Sequence, residues 1–223
     1  MLVVLVASLL VLETALSSTS IRRSAPQFMS RLTGVFVGSG SEGLQQPEIC
    51  SAIIEKTKKE AKDVTVLYLG TATYDLPQPK KNQTFRLLEA GCKITEIICD
   101  RRNVDKADME RKVEDADVIL VSGGNTLYAA DLWNAVELTP LLKTAMQRGA
   151  VLTGGSAGAI CWFDAGHSDS TDPDSFKDAM LKEALGAQEG VVKDESSAMS
   201  ADEPPKEWQY IRVPCLGFLP GSV

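Results

Sequence analysis

Residues 153–162 read TGGSAGAICW, which sets one serine between glycines directly behind the apolar run Ala150-Val151-Leu152. Gly154, Ser156 and Gly158 satisfy the pattern G-x-S-x-G where a strand is expected to pass into a helix. The pattern has a mechanism. The serine sits on a sharp turn whose neighbours must lack bulk, and the N–H of the next residue, here Ala157, points at a substrate oxygen as half of an oxyanion hole. The positive end of the following helix adds to the same field. On the plainer reading, small residues let strand and helix pack closely and Ser156 caps the helix. A second glycine loop, Gly123-Gly124-Asn125-Thr126, follows the apolar run Val118-Ile119-Leu120-Val121. It can offer another backbone donor, with Asn125 adding a side-chain amide or holding the loop; its plainer reading is a turn in which Asn125 caps the next helix. Two such loops on neighbouring strands favour acyl transfer at Ser156.

A serine hydroxyl is a weak nucleophile until a positioned base takes its proton. The chain holds a single histidine, His167. If the segment after Ser156 stays helical to about Phe163, His167 starts about 15 Å away at ~1.5 Å rise per residue, so the chain must turn back for it to serve as base. A loop or substrate-pocket position suits it better. Asp169 and Asp172 are candidates to orient a base or to bind a substrate amino group, set against a solvated acidic loop. Cys161 would point away from the turn on a helix that follows Ser156. The five cysteines, Cys50, Cys92, Cys99, Cys161 and Cys215, lack zinc or dithiol spacing, so most are expected in the core and no metal or cofactor is expected.

The elements that must position these residues alternate between Val/Ile-rich runs and amphipathic stretches, the pattern of a mostly parallel sheet flanked by helices. LTGVFVGSG reads as the first strand with its glycine turn, and PEICSAIIEKTKKEA as a helix with Ile49, Ile53 and Ile54 on its apolar face. DVTVLYLGTATYD is a strand and loop, KNQTFRLLEAG a helix closed by Gly91, KITEIICD a strand and ADMERKVEDA a short polar helix. ADVILVSGGNT is the fourth strand, LYAADLWNAVELTPLLKTAMQRGA two helices punctuated by Pro140, and AVLTGGSAG the fifth strand. After Trp162 the pattern breaks down into acidic loops around one helical piece near FKDAMLKEALG. In open α/β sheets ligands gather at the carboxyl ends of the strands, where the glycine loops fall. The pair Gly38-Ser39-Gly40 is rejected as a dinucleotide loop, because the third glycine and the closing acidic residue are not both present.

With 223 residues, 44% hydrophobic, the chain can bury a sizeable core in one domain. Its net charge of −7 argues against nucleic acid or an anionic membrane surface, both of which demand a basic footprint. Leu2 to Leu12 is too short to span a bilayer comfortably and matches a secretory h-region, so residues 1–18 are expected to be a signal peptide and the domain to occupy 32–223. Secretion is the favoured location, with a cytoplasmic or membrane-anchored chain as the rival. The triplet Asn82-Gln83-Thr84 fits a secretory route and equally a chance match on a helix.

VSGGNT (121–126) and GGSAGAICWFDAGHSDS (154–170), with GTATYD (70–75) and LGFLPGS (216–222) more weakly, resemble peptidase family S51, the aspartyl dipeptidase and cyanophycinase group. The resemblance covers nearly everything from residue 34 onward. It implies a class I glutamine amidotransferase-like α/β fold, a flavodoxin-like three-layer sandwich, with a serine where that fold usually has cysteine. Ser156 matches the family's nucleophile, and the family's oxyanion donors map onto the Gly124 loop and the Ala157 amide. The implied activity is that of a serine-type dipeptidase or exopeptidase on short peptides with an acidic N-terminal residue, or on the aspartyl-arginine polymer. The family's histidine follows the stretch resembling LGFLPGS within a few residues, whereas this chain stops at Val223. The expectation is a domain cut short of its base, inactive as it stands; the alternative is a non-catalytic relative that binds peptide through the same cleft. An α/β-hydrolase esterase is a weaker rival, since it usually needs a histidine-glycine segment before the serine and no histidine precedes Ser156. A nucleotide-binding module lacks both a P-loop and a full dinucleotide fingerprint. The expected partner is a short peptide; the oligomeric state is left open, with a homodimer as the state to test.

Overall fold

The computed structural model describes residues 32–99, 104–170 and 210–223, together with the backbone of Val4–Leu5. Five strands make a parallel sheet: β2 (Thr33–Val37), β3 (Thr65–Leu69), β4 (Lys93–Ile97), β5 (Val118–Val121) and β6 (Val151–Gly155). A two-residue strand β1 (Val4–Leu5) pairs antiparallel with β2, and the order across the sheet is β1-β2-β6-β5-β3-β4. Because side chains alternate along a strand, each strand feeds two cores. Leu67, Leu69, Ile119, Val121 and Leu152 meet helices α3 (Lys106–Asp115), α4 (Thr126–Ala135) and α5 (Leu138–Arg148). Val35, Val37, Val66, Tyr68, Val118 and Leu120 meet α1 (Pro47–Thr57) and α2 (Pro77–Glu89) on the other face. A sheet apolar on both faces needs helices on both, and the result is the expected α/β three-layer sandwich.

Local chemistry explains where elements begin and end. α1 stops at Thr57, earlier than its amphipathic pattern, because Lys58 turns left-handed (φ 58) and donates its N–H to Glu55. α2 starts at Pro77, four residues before its sequence signal, since proline is tolerated in a first helical turn. Gly91, at φ 98, closes it. α4 and α5 part at Glu137 (φ 62), and Pro140 is the third residue of α5 rather than the break itself. Asn82 lies in α2, where it accepts a hydrogen bond from Gln78, and Thr84 is buried beside it.

The largest departure follows Ser156. Instead of running on to Phe163, the helix α6 is a single turn (Ala157–Ile160), and a strand β7 (Phe163–Ser168) follows at once. β7 joins β8 (Ile211–Pro214), antiparallel, and β9 (Leu219–Ser222), parallel, in a separate three-stranded sheet. The segment FDAGHS has no β-branched residue, so this strand is made by its partners rather than by propensity. Asp172 and the helical piece near FKDAMLKEALG lie outside the described residues.

Candidate active site

The loops after β2, β3, β5 and β6 leave from the same edge of the sheet and meet around Ser156. Ser156 follows the last residue of β6 at φ 53, ψ −120, a conformation that a residue with a Cβ adopts only under strain. Its backbone is held on both sides: the N–H donates to the carbonyl of Val37 (3.1 Å), and its own carbonyl accepts from Ala159 (2.8 Å) and Ile160 (3.0 Å). The side chain is exposed and makes no capping hydrogen bond, so Ser156 occupies the cap position without using its hydroxyl there. The N–H of Ala157 opens α6, where no intrahelical acceptor exists for it.

This elbow is tightly enclosed by main chain. A Cβ on Gly155 would lie 2.6 Å from the Cα of Gly40, and one on Gly158 2.9 Å from the carbonyl oxygen of Ser122. From the neighbouring strand Gly123 comes up against the serine, with its Cβ position 3.6 Å from Cβ of Ser156. Gly124 takes φ 119, and a Cβ there would collide with the carbonyl group of Ala72. Asn125, fully buried, donates its N–H to Ala72 (2.8 Å) and accepts from the N–H of Tyr128 through Oδ1 (2.9 Å). It therefore caps α4 and holds the loop, while its Nδ2 is buried with no partner among the described residues.

The loop Gly70–Asp75 is the buttress that reasoning on the serine missed; its only signal was the weak resemblance of GTATYD. Tyr74 (φ 54) and Asp75 (φ 53) are consecutive left-handed residues. The loop is fixed by Trp133 Nε1 donating to Thr71 Oγ1 (2.9 Å), by the amide of Cys99 donating to Asp75 Oδ2 (2.8 Å), and by the rings of Tyr74 and Tyr128, 4.7 Å apart.

No hydrogen bond joins His167 to Ser156. It lies exposed on β7 opposite Arg212, its N–H donating to Val223 (2.7 Å). Its strand neighbours face the body of the protein: a Cβ on Gly166 would run into Ile160, and Ser168 is buried against Thr126. The imidazole therefore leaves from the outward face. Asp169 is half-buried between Ser168 and Ser170, and no hydrogen bond joins it to Ser156 or His167. Cys161 is buried with Sγ directed at the carbonyl of Gly158, and burial holds its thiol well above its ordinary pKa, which suits a core residue and not a nucleophile.

Comparison with known proteins gives the family of the chain. Residues 35–213 match the family described as peptidase family S51. The chain is 27% identical over 211 residues to the G2/mitotic-specific cyclin-1 of Trypanosoma brucei brucei, covering 85% of this chain and 59% of that protein. It is 45% identical over 67 residues to the uncharacterized peptidase YgaJ of Bacillus subtilis (strain 168), 30% of this chain and 29% of that one. The chain thus spans less than two thirds of the length of these relatives. A Listeria monocytogenes EGD-e protein crystallised as a candidate peptidase E aligns over 61% of this chain and 82% of its own, at 16% identity and TM-score 0.46. A peptidase from an acI-B1 Actinobacterium aligns over 60% and 57%, at 24% identity and TM-score 0.47. With the family match running across four fifths of its length, through every loop that meets at Ser156, the chain belongs to peptidase family S51.

Proposed function

We propose that the protein is a serine-type peptidase that hydrolyses short aspartate-containing peptides, with Ser156 as nucleophile. The observation that carries this is the strained Ser156, its hydroxyl exposed and unspent, standing beside the Ala157 N–H that opens α6 and against Gly123 of the neighbouring loop. Oγ would add to the scissile carbonyl while its proton passes to a base, and the carbonyl oxygen, now negative, would be held by the N–H groups of Ala157 and the Gly124 loop. The proton then goes to the leaving amine, and water releases the acyl group by the same route in reverse. In this reading the base is a residue other than His167, whose strand neighbours Gly166 and Ser168 face the body of the protein while it is exposed.

That same observation favours a second reading, a peptide-binding relative without turnover. The two are separated by assaying the 223-residue chain, its Ser156→Ala and His167→Ala variants, and any longer form of the chain, all on aspartyl dipeptides. Turnover abolished by Ser156→Ala and retained within about twofold by His167→Ala is the expected outcome for any active form. Loss on His167→Ala would overturn the placement of the base. Absence of turnover from every form, with peptide still bound, would establish the second reading.

A further inference from the structure

The chain that leaves Ser156 returns to the loop that faces it. β7 ends at Ser168, and Ser170 follows; both are buried, as is Thr126 at the head of α4. The N–H of Thr126 donates to Ser170 Oγ (2.8 Å), and the N–H of Ser170 donates to Ser168 Oγ (3.1 Å). The two serine hydroxyls are 2.7 Å apart, and Ser168 Oγ lies 3.3 Å from Thr126 Oγ1. One assignment lets both serines donate: Ser170 to Ser168, and Ser168 to Thr126. The Thr126 amide is one of those that a helix cannot satisfy internally, and here a segment 44 residues away satisfies it.

Thr126 stands two residues beyond Gly124, and the intervening Asn125 is tied to Ala72. We propose that Ser170, backed by Ser168, is a positioning residue for the reaction: it holds Thr126 so that the Gly124 N–H is fixed where negative charge develops. The proposal rests on the reading of Ser156 as nucleophile and adds to it a residue that touches neither substrate nor Ser156. An oxyanion donor acts only if it is already 2.7–3.1 Å from the oxyanion, and losing one outright lowers rates about 10²–10³-fold. Releasing the loop without deleting the donor should cost less, about tenfold.

The test is labelling of Ser156 by an alkyl fluorophosphonate, in which Oγ bonds to phosphorus and fluoride leaves. It is run on the 223-residue chain and on any longer form of it, with Ser170→Ala, Ser170→Thr, Ser168→Ala and Thr84→Ala compared in whichever form labels. Thr84→Ala removes a buried hydroxyl bond on α2 and controls for general destabilisation. Expected are a maximal labelling rate about tenfold lower in Ser170→Ala with full final stoichiometry and unchanged probe affinity, partial recovery in Ser170→Thr, and a wild-type rate in Thr84→Ala. A merely structural role would lower the stoichiometry and leave the rate of the folded fraction alone. A wild-type rate in folded Ser170→Ala overturns the inference while Ser156 stands. If that variant does not fold, Ser168→Ala is judged by the same rule. If neither form labels at Ser156, the nucleophile reading fails and takes this one with it.

Discussion

Replacing Ser156 by glycine should leave the protein more stable than replacing it by alanine, although both remove the hydroxyl. At φ 53, ψ −120 the residue occupies a region in which a Cβ is strained, and its two flanking sets of backbone hydrogen bonds prevent relaxation. Such strain is worth roughly 1–3 kcal/mol. Alanine keeps it; glycine removes it but adds about 0.5–1 kcal/mol of chain entropy to the unfolded state. The exposed Oγ has no hydrogen bond to lose in either variant, so the difference reduces to these two terms. The net advantage of glycine over alanine is then about 1 kcal/mol, which for a chain of this size raises Tm by roughly 2–4 °C. Paired urea titrations of Ser156→Gly and Ser156→Ala read the same quantity as a shift in midpoint at constant slope. A Ser156→Gly midpoint equal to or below that of Ser156→Ala would show that the elbow stores no strain, and the argument for a built nucleophile would lose its physical footing.

Two further outcomes follow from the same geometry. Gly158→Ala pushes a Cβ against the backbone of Val121 and Ser122, and with no flexible side chain to yield it should cost about 1–3 kcal/mol by denaturant titration and abolish labelling of Ser156. The thiol of Cys215 is pushed up to about 11 by burial, so its thiolate fraction, and its alkylation by iodoacetamide, should rise about tenfold per pH unit between pH 8 and 10. A rate that is flat over that interval would contradict the assigned environment.

Where the sequence was easiest to read, two-sided burial was the cause. VFV, TVLYL and VILV are continuous apolar runs because each strand feeds both cores, and the helices between them carry ordinary amphipathic stripes. FDAGHS hid β7 for the opposite reason: its alternation involves alanine, glycine and serine, and its pairing comes from β8 and β9, the former more than 40 residues away. The helix after Ser156 ends after one turn instead of running to Phe163, so the chain does turn back, yet strand alternation leaves the His167 side chain exposed. Ser156 was legible from five consecutive residues. The roles of the Gly70–Asp75 buttress and the Ser168–Ser170 clasp were not, since each consists of contacts between residues distant in sequence, Thr71 with Trp133, Asp75 with Cys99 and Ser170 with Thr126, that no local spacing announces.

The approach of the four loops to one another is almost wholly main chain on main chain, glycine against carbonyl. A framework of that kind has no side chains to exchange, so it cannot be adjusted by small steps: a substituent either fails to fit or leaves the geometry as it was. On the proposed reading, any preference between substrates must come from side chains rooted outside this glycine ring, because the ring itself offers none to exchange. The elbow is thus held by the backbone itself, and a change of side chain elsewhere leaves that framework in place.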